Sequence, residues 1–225
     1  MTAPLKAAPG ADHARYLNLA SFDAAPLQRN PFEHVIVGNI IEPQHLEAIL
    51  RAFPDIPGPG SYAPASLKMA APFGALLNEL QGDAVRDAIA RKFAIELAGR
   101  PTLTTIRGEL RASDGAIHTD SRSKLMTVLL YLNRAWDAPG GRLRLLRSAN
   151  LDDFAVEIAP EAGTLLVFRR GETSWHGHAP FVGARRALQM NYVSNRAIAL
   201  REDYRHRLAV TLKRIASGVA AANTR

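Results

Sequence analysis

KLMTVLLYLNRAWDAPGGRLRLLR, residues Lys124 to Arg147, holds two apolar runs separated by a Pro-Gly-Gly turn at 139–141. Both runs are short, and the first mixes Leu with Val, Thr and Tyr. That length and content suit strands better than helices. Working outward, similar runs recur on both sides. TLTTIRGELRA (102–112) precedes it, and FAVEI (154–158), TLLVFRR (164–170) and RRALQMNYV (185–193) follow. Asp114-Gly115 and Glu161-Ala162-Gly163 supply further turn signals, since Gly reaches backbone conformations that tight turns require. Strands at this spacing predict a β-sandwich or barrel over about residues 102–194.

Upstream of Pro101 the texture differs. PFEHVIVGNII (31–41) reads as one short strand with burial on both faces. A helix is predicted from Pro43 to Phe53, with Leu46, Ile49 and Leu50 on one face and Pro at its first position. Residues 54–66, PDIPGPGSYAPAS, form a Pro/Gly-rich loop long enough to wall a site. Helix returns from about Pro72 to Leu97, broken near Gly82-Asp83, with Asp83 capping the second piece. Val85, Ile89, Phe93 and Leu97 recur every four positions as a core-facing stripe. A last amphipathic helix is expected from about Ile198 to Ser217, and internal repeats are absent. The expectation is an α+β, mostly β chain: a tail over 1–15, then a single domain over 16–217 with helical support over 43–98.

Composition narrows the function. The 225 residues contain no cysteine, which removes disulfides, thiolate zinc sites, iron–sulfur clusters and cysteine nucleophiles together. A metal site must use His and carboxylates. No apolar run approaches the ~18 residues of a membrane span. The first fifteen residues lack the basic start and apolar stretch of a secretory signal and read as a disordered Ala/Pro-rich tail. A cytoplasmic location is the expectation. The net charge of +7 collects partly in Arg196, Arg201, Arg205, Arg207, Lys213 and Arg214. No nucleic-acid motif accompanies these residues, so a solvated basic helix face is expected and no nucleic-acid partner. An anionic small molecule remains compatible with the charge.

GAIHTD, Gly115 to Asp120, carries the chemistry. On an extended segment His118 and Asp120 point to one face, so an imidazole nitrogen and a carboxylate can aim at one point. Trp175-His176-Gly177-His178 offers a third ligand through His176 or His178. Two His and one carboxylate on one face of iron form the facial triad, with positions left open for other ligands. His-x-Asp alone is also what a solvated strand displays. Nine residues beyond His176 stands Arg185, with Arg186 beside it. A permanently charged guanidinium grips a carboxylate through two parallel hydrogen bonds. Alternation places Ala187, Gln189 and Asn191 on the face of Arg185. Gln189 and Asn191 are candidate substrate contacts. Arg107 and Arg111 would share a face one strand earlier and could meet an anionic substrate, Arg107 being the stronger candidate.

The set His118, Asp120, His176 and Arg185, in this order and spacing, resembles the 2-oxoglutarate/iron(II)-dependent oxygenase superfamily, especially its prolyl-hydroxylase-like branch. LYLNRAWDAPGGRLRLL (130–146) resembles the family's Tyr-Leu-Asn, Trp and Gly-Gly-x-Leu segment, and IAPEAGTLLVFRR (158–170) its Pro-x-x-Gly-x-Leu-x-x-Phe strand entry. The resemblance covers about residues 103–194. It implies a double-stranded β-helix (jelly roll) with N-terminal helices packed on one sheet and a C-terminal helix. It implies Fe(II) held by His118, Asp120 and His176, and 2-oxoglutarate held at its distal carboxylate by Arg185 and Tyr131. Dioxygen would be the second co-substrate, with ascorbate as an aid in vitro. The implied reaction is hydroxylation of an unactivated carbon in an amino-acid, peptidyl (including prolyl) or other small-molecule substrate, giving succinate and CO2. A carboxylate at 120 speaks against halogenating relatives, which carry a small residue there. Two other readings stand beside this one: a metal-dependent hydrolase, for which Arg185 has no purpose, and a non-enzymatic jelly-roll binding module.

Overall fold

Alternation along β3 (Lys124–Tyr131) divides the molecule into its layers. Met126, Val128 and Leu130 are fully buried on one face, and Thr127 and Tyr131 are buried on the other. The computed structural model describes residues 16–195 and 197. Its strands are β1 (His34–Val37), β2 (Thr102–Leu110), β3, β4 (Leu143–Leu146), β5 (Phe154–Ile158), β6 (Leu165–Arg169), β7 (His176–His178) and β8 (Gly183–Val193). Its helices are α1 (Leu19–Ala24), α2 (Pro43–Arg51), α3 (Ala71–Leu80) and α4 (Asp83–Phe93). One sheet has the order β1-β6-β3-β8-β2 and the other β5-β4-β7, and every pairing is antiparallel.

The helices cover the outer face of the five-stranded sheet. Ile49 of α2, Phe73 and Leu76 of α3, and Ile89 and Phe93 of α4 share one core with Val128, Leu130, Leu188 and Met190. Each such side chain contributes ~1.5–3 kcal/mol on full burial, so this layer fixes the large sheet rigidly. A smaller core lies between the sheets, where Tyr131, Leu166, Phe168 and Ala187 meet Leu143, Leu145 and Ile158. This is the double-stranded β-helix arrangement, an open pair of sheets rather than a closed barrel.

Several local expectations shift. The helical region divides at Gly82-Asp83 as expected, but Gly82 occupies the cap position of α4 with no side-chain cap bond. Asp83 is the first helical residue. Its carboxylate accepts a hydrogen bond from Arg86 at 2.5 Å and does not cap the helix. α4 stops at Phe93, short of Leu97, because Ala94 turns left-handed (φ 47°), which ends a helix. Leu97 is still fully buried: the stripe continues after the helix has ended. α1 was not anticipated. It is six residues long, too short for a periodic stripe, and its signal was Asn18, whose side chain accepts from the Ser21 N–H at 3.0 Å. The loop 54–66 is irregular except for a 3-10 turn at Pro64–Ser66. Tyr62 and Ile106 exchange backbone hydrogen bonds of 3.0 and 2.8 Å, which ties this loop to β2. The tail over 1–15 and the helix over about 198–217 lie outside the described residues. Among the described residues no helix is long and apolar enough to cross a membrane.

Candidate metal centre and carboxylate pocket

His118 and His176 meet because their backbones pair. Each donates its N–H to the other's carbonyl at 3.0 Å. The His178 N–H donates to the Gly115 carbonyl at 3.0 Å, which extends the contact to residue 115. Two glycines permit this approach. A Cβ on Gly115 (φ +88°) would fall 2.2 Å from the His178 ring, and one on Gly177 would fall 2.9 Å from the Gly115 carbonyl oxygen.

Both imidazoles are oriented from behind. Nδ1 of His118 lies 2.8 Å from the Ala116 carbonyl, and Nδ1 of His176 lies 2.9 Å from the Ser174 carbonyl. A neutral ring donating from Nδ1 presents the lone pair of Nε2, which is how metal-binding histidines are usually held. Burial pushes the His176 pKa down to about 4, only partly opposed by the Asp120 carboxylate, so this ring is neutral at physiological pH. Asp120 is 4% exposed. It accepts hydrogen bonds of 2.5 Å from Lys124 Nζ on Oδ1 and from Thr127 Oγ1 on Oδ2. Burial alone would raise the Asp120 pKa. The Lys124 ammonium and these two hydrogen bonds outweigh it and hold the carboxyl below its ordinary range. One ligand atom from each of His118, Asp120 and His176 lies within 4.8 Å of the others. Two imidazole nitrogens and one carboxylate, with backs fixed and fronts converging, suit a divalent first-row metal.

A cavity of about 390 Å³ runs from this cluster between the sheets. Arg185 and Tyr131 also line it. Arg185 is 5% exposed; its Nε donates to the Gly141 carbonyl at 2.7 Å and its Nη2 to the Tyr131 hydroxyl at 3.3 Å. Burial pushes the Tyr131 phenol up, so it stays protonated and able to donate. Arg186 points away, and its guanidinium lies 5.0 Å from the Phe53 ring. His178 lines the cavity, but its ring packs on Gly115 with Nδ1 2.9 Å from the Ala179 carbonyl, and it is not one of the converging ligands.

Gln189, Asn191 and Arg107 also reach the cavity. Gln189 and Asn191 make a chain toward the metal cluster: Gln189 Nε2 donates to Asn191 Oδ1 at 3.2 Å, and Asn191 Nδ2 to Thr127 Oγ1 at 2.9 Å. Arg111 does not join them. A bulge between Arg107 and Glu109 breaks the alternation, and Arg111 is exposed beside Asp114. Lys124 and Thr127, the two partners of Asp120, were not singled out from sequence. Thr127 sits four residues before Tyr131 on one strand face, and that spacing was the available signal.

Residues 110–193 match the family model described as the 2OG-Fe(II) oxygenase superfamily. No curated protein sequence matches the chain. A solved prolyl-4-hydroxylase of Pseudomonas putida shares 19% identity and a TM-score of 0.51, covering 79% of this chain and 90% of its own. A prolyl hydroxylase of Trichoplax adhaerens, solved with a hypoxia inducible factor peptide fragment, shares 16% identity and a TM-score of 0.49, covering 78% and 86%. An oxidoreductase of the 2OG-Fe(II) oxygenase family from Burkholderia pseudomallei shares 15% and 0.48, covering 80% and 93%. At these identities the first of the three speaks for the fold alone. The matched span contains the His-Asp-His cluster and Arg185 and lies within the double-stranded β-helix, so over residues 110–193 the chain is similar to the 2OG-Fe(II) oxygenase superfamily.

Proposed function

We propose that this protein is an Fe(II)- and 2-oxoglutarate-dependent dioxygenase that hydroxylates an unactivated carbon of an amino-acid, peptidyl or other small-molecule substrate, with succinate and CO2 as co-products. The observation that carries this reading is the pairing, in one cavity, of the His118–Asp120–His176 cluster with the buried Arg185–Tyr131 pair. His118, Asp120 and His176 hold Fe(II). Bound Fe(II) supplies activation of dioxygen coupled to oxidative decarboxylation of 2-oxoglutarate. Arg185 takes the distal carboxylate of the co-substrate. Its charge is permanent, and its Nε bond to Gly141 fixes the guanidinium before the ligand arrives. Tyr131 donates its phenol proton to the same carboxylate. Leu129, Leu143 and Ala187 give the cavity apolar wall, which limits water around the reacting atoms. A hydrolytic metal site would need a general base beside the metal. Among the described residues Asp120 is the single carboxylate lining the cavity, and it belongs to the cluster. The Pseudomonas putida prolyl-4-hydroxylase that shares the fold makes prolyl compounds the first substrates to test.

The test is direct. His118→Ala and Asp120→Ala should each lose stoichiometric iron binding and iron-dependent succinate formation from 2-oxoglutarate. Arg185→Gln should keep iron and raise the 2-oxoglutarate KM by roughly tenfold or more, the scale of a lost charge-assisted pair. Full activity in both His118→Ala and Asp120→Ala overturns the reading.

A further inference from the structure

Arg107 is a second cation in the cavity, and nothing in the site as described uses it. It stands on β2 level with Ala187 of β8, which is in turn level with Tyr131 of β3. Arg107, Ala187 and Tyr131 therefore form one row across the sheet, all three lining the cavity. Ala187, with a single methyl group, leaves space between the two larger side chains. The loop 54–66 holds Arg107 in place, since its Nε donates to Ser61 Oγ at 2.8 Å. Among the described residues no carboxylate lies within ion-pair distance of its guanidinium. Asp114, the acidic group that acts on it, is joined to Arg111. Burial is the main influence on Arg107 and the Arg185 charge adds to it, both disfavouring the charged form. An arginine held in such surroundings without a counter-charge is set to receive one. The co-substrate does not provide it: 2-oxoglutarate has two carboxylate ends, one assigned to Arg185 and Tyr131 and the other to the metal.

We propose that Arg107 forms a second anion subsite, which receives an oxyanion group of the substrate beside bound 2-oxoglutarate. The proposal rests on the reading of the cavity as an Fe(II)/2-oxoglutarate centre. It narrows the substrates to molecules that carry a carboxylate, phosphate or sulfate group near the carbon to be oxidised. A free amino acid meets that requirement through its own carboxylate. An internal residue of a neutral peptide does not.

Calorimetry on the full chain loaded with Fe(II) and saturating 2-oxoglutarate, without dioxygen, tests this. The probes are acetate and sulfate, with acetamide as the neutral control. Wild-type protein should bind acetate or sulfate saturably and should not bind acetamide. The preference between planar and tetrahedral probes separates a carboxylate substrate from a phosphate or sulfate one. Arg107→Gln should weaken that binding by roughly tenfold or more, while 2-oxoglutarate affinity changes by less than about twofold. Arg107→Lys, which keeps the charge and loses the fork, should fall between the two. No saturable second anion in wild type, unchanged binding in Arg107→Gln, or a loss that appears in 2-oxoglutarate affinity instead would each overturn the subsite. Failure of wild type to bind 2-oxoglutarate in an iron-dependent way is a separate result, and it removes the underlying reading along with the subsite.

Discussion

Thr127 controls how Asp120 meets a metal. Its hydroxyl donates to Oδ2 of the carboxylate and accepts from Asn191, so the rotor is held from both sides. Oδ1 carries only the Lys124 ammonium, on a flexible stem that a metal ion can displace. Thr127→Val keeps the shape of the side chain and removes the hydroxyl. It leaves one carboxylate oxygen and one Asn191 N–H without their partner in a buried place, which is costly. Outer partners of metal ligands typically account for ~10–100-fold in metal affinity. Thr127→Val should therefore bind iron about 10–100-fold more weakly in a competition titration, with unchanged far-UV circular dichroism. Iron affinity equal to wild type would show that Asp120 needs no support from β3.

At the scale of elements, the loop 54–66 and β2 act as one unit. Gly108 lies at the bulge of β2, and a Cβ there would sit 2.7 Å from Cγ1 of Ile56 in the loop. Gly108→Ala must push Ile56 away, and overpacking of this kind costs ~1–3 kcal/mol. The expected result is a lower Tm and faster hydrogen exchange at the Tyr62 and Ile106 amides, which pair across this seam. Unchanged exchange at both would mean that the loop is held elsewhere. This seam also marks where sequence reading stops. The strands were legible because alternation and Gly turns are local properties, and the same alternation separated Arg185 from Arg186. The bulge at Gly108 is a tertiary event, so Arg111 was placed on the face of Arg107 when it is exposed. β7 is three residues long and is recognisable only through its pairing with β4 and with His118. For that reason the sequence favoured His176 over His178 only through its spacing to Arg185. Thr127 was hidden for a related reason: a threonine on a strand declares no role until the carboxylate it holds is brought across from another segment.

For the whole molecule, buried imidazoles set the response to acid. His34 on β1 is 1% exposed, with Nδ1 2.9 Å from the Phe32 carbonyl. Burial lowers its pKa below the ordinary 6.5, partly opposed by that carbonyl. His176 and His178 are lowered in the same direction, again chiefly by burial. In the unfolded chain each of these rings takes a proton near 6.5, and in the native chain it resists doing so. The unfolded state thus binds more protons just below that pH, and stability must rise with pH there. The contribution is complete above about 6.5 and is lost as pH falls, by up to ~1.4 kcal/mol per pH unit for each ring that stays neutral in the native state. His34 separates this effect from the metal cluster, because it stands on the edge strand β1 and is not one of the cluster's residues. His34→Asn places an amide N–H where Nδ1 now donates and removes the titrating ring. Urea unfolding of the metal-free protein at pH 7.5 and pH 5.0 reads the difference. Wild type should lose stability between the two pH values, and His34→Asn should lose measurably less. Carboxylates contribute little over this interval because most remain ionised above pH 5. An identical loss in both proteins would mean that His34 is protonated equally readily in the native and unfolded chains, and that the acid response belongs to the two histidines on β7.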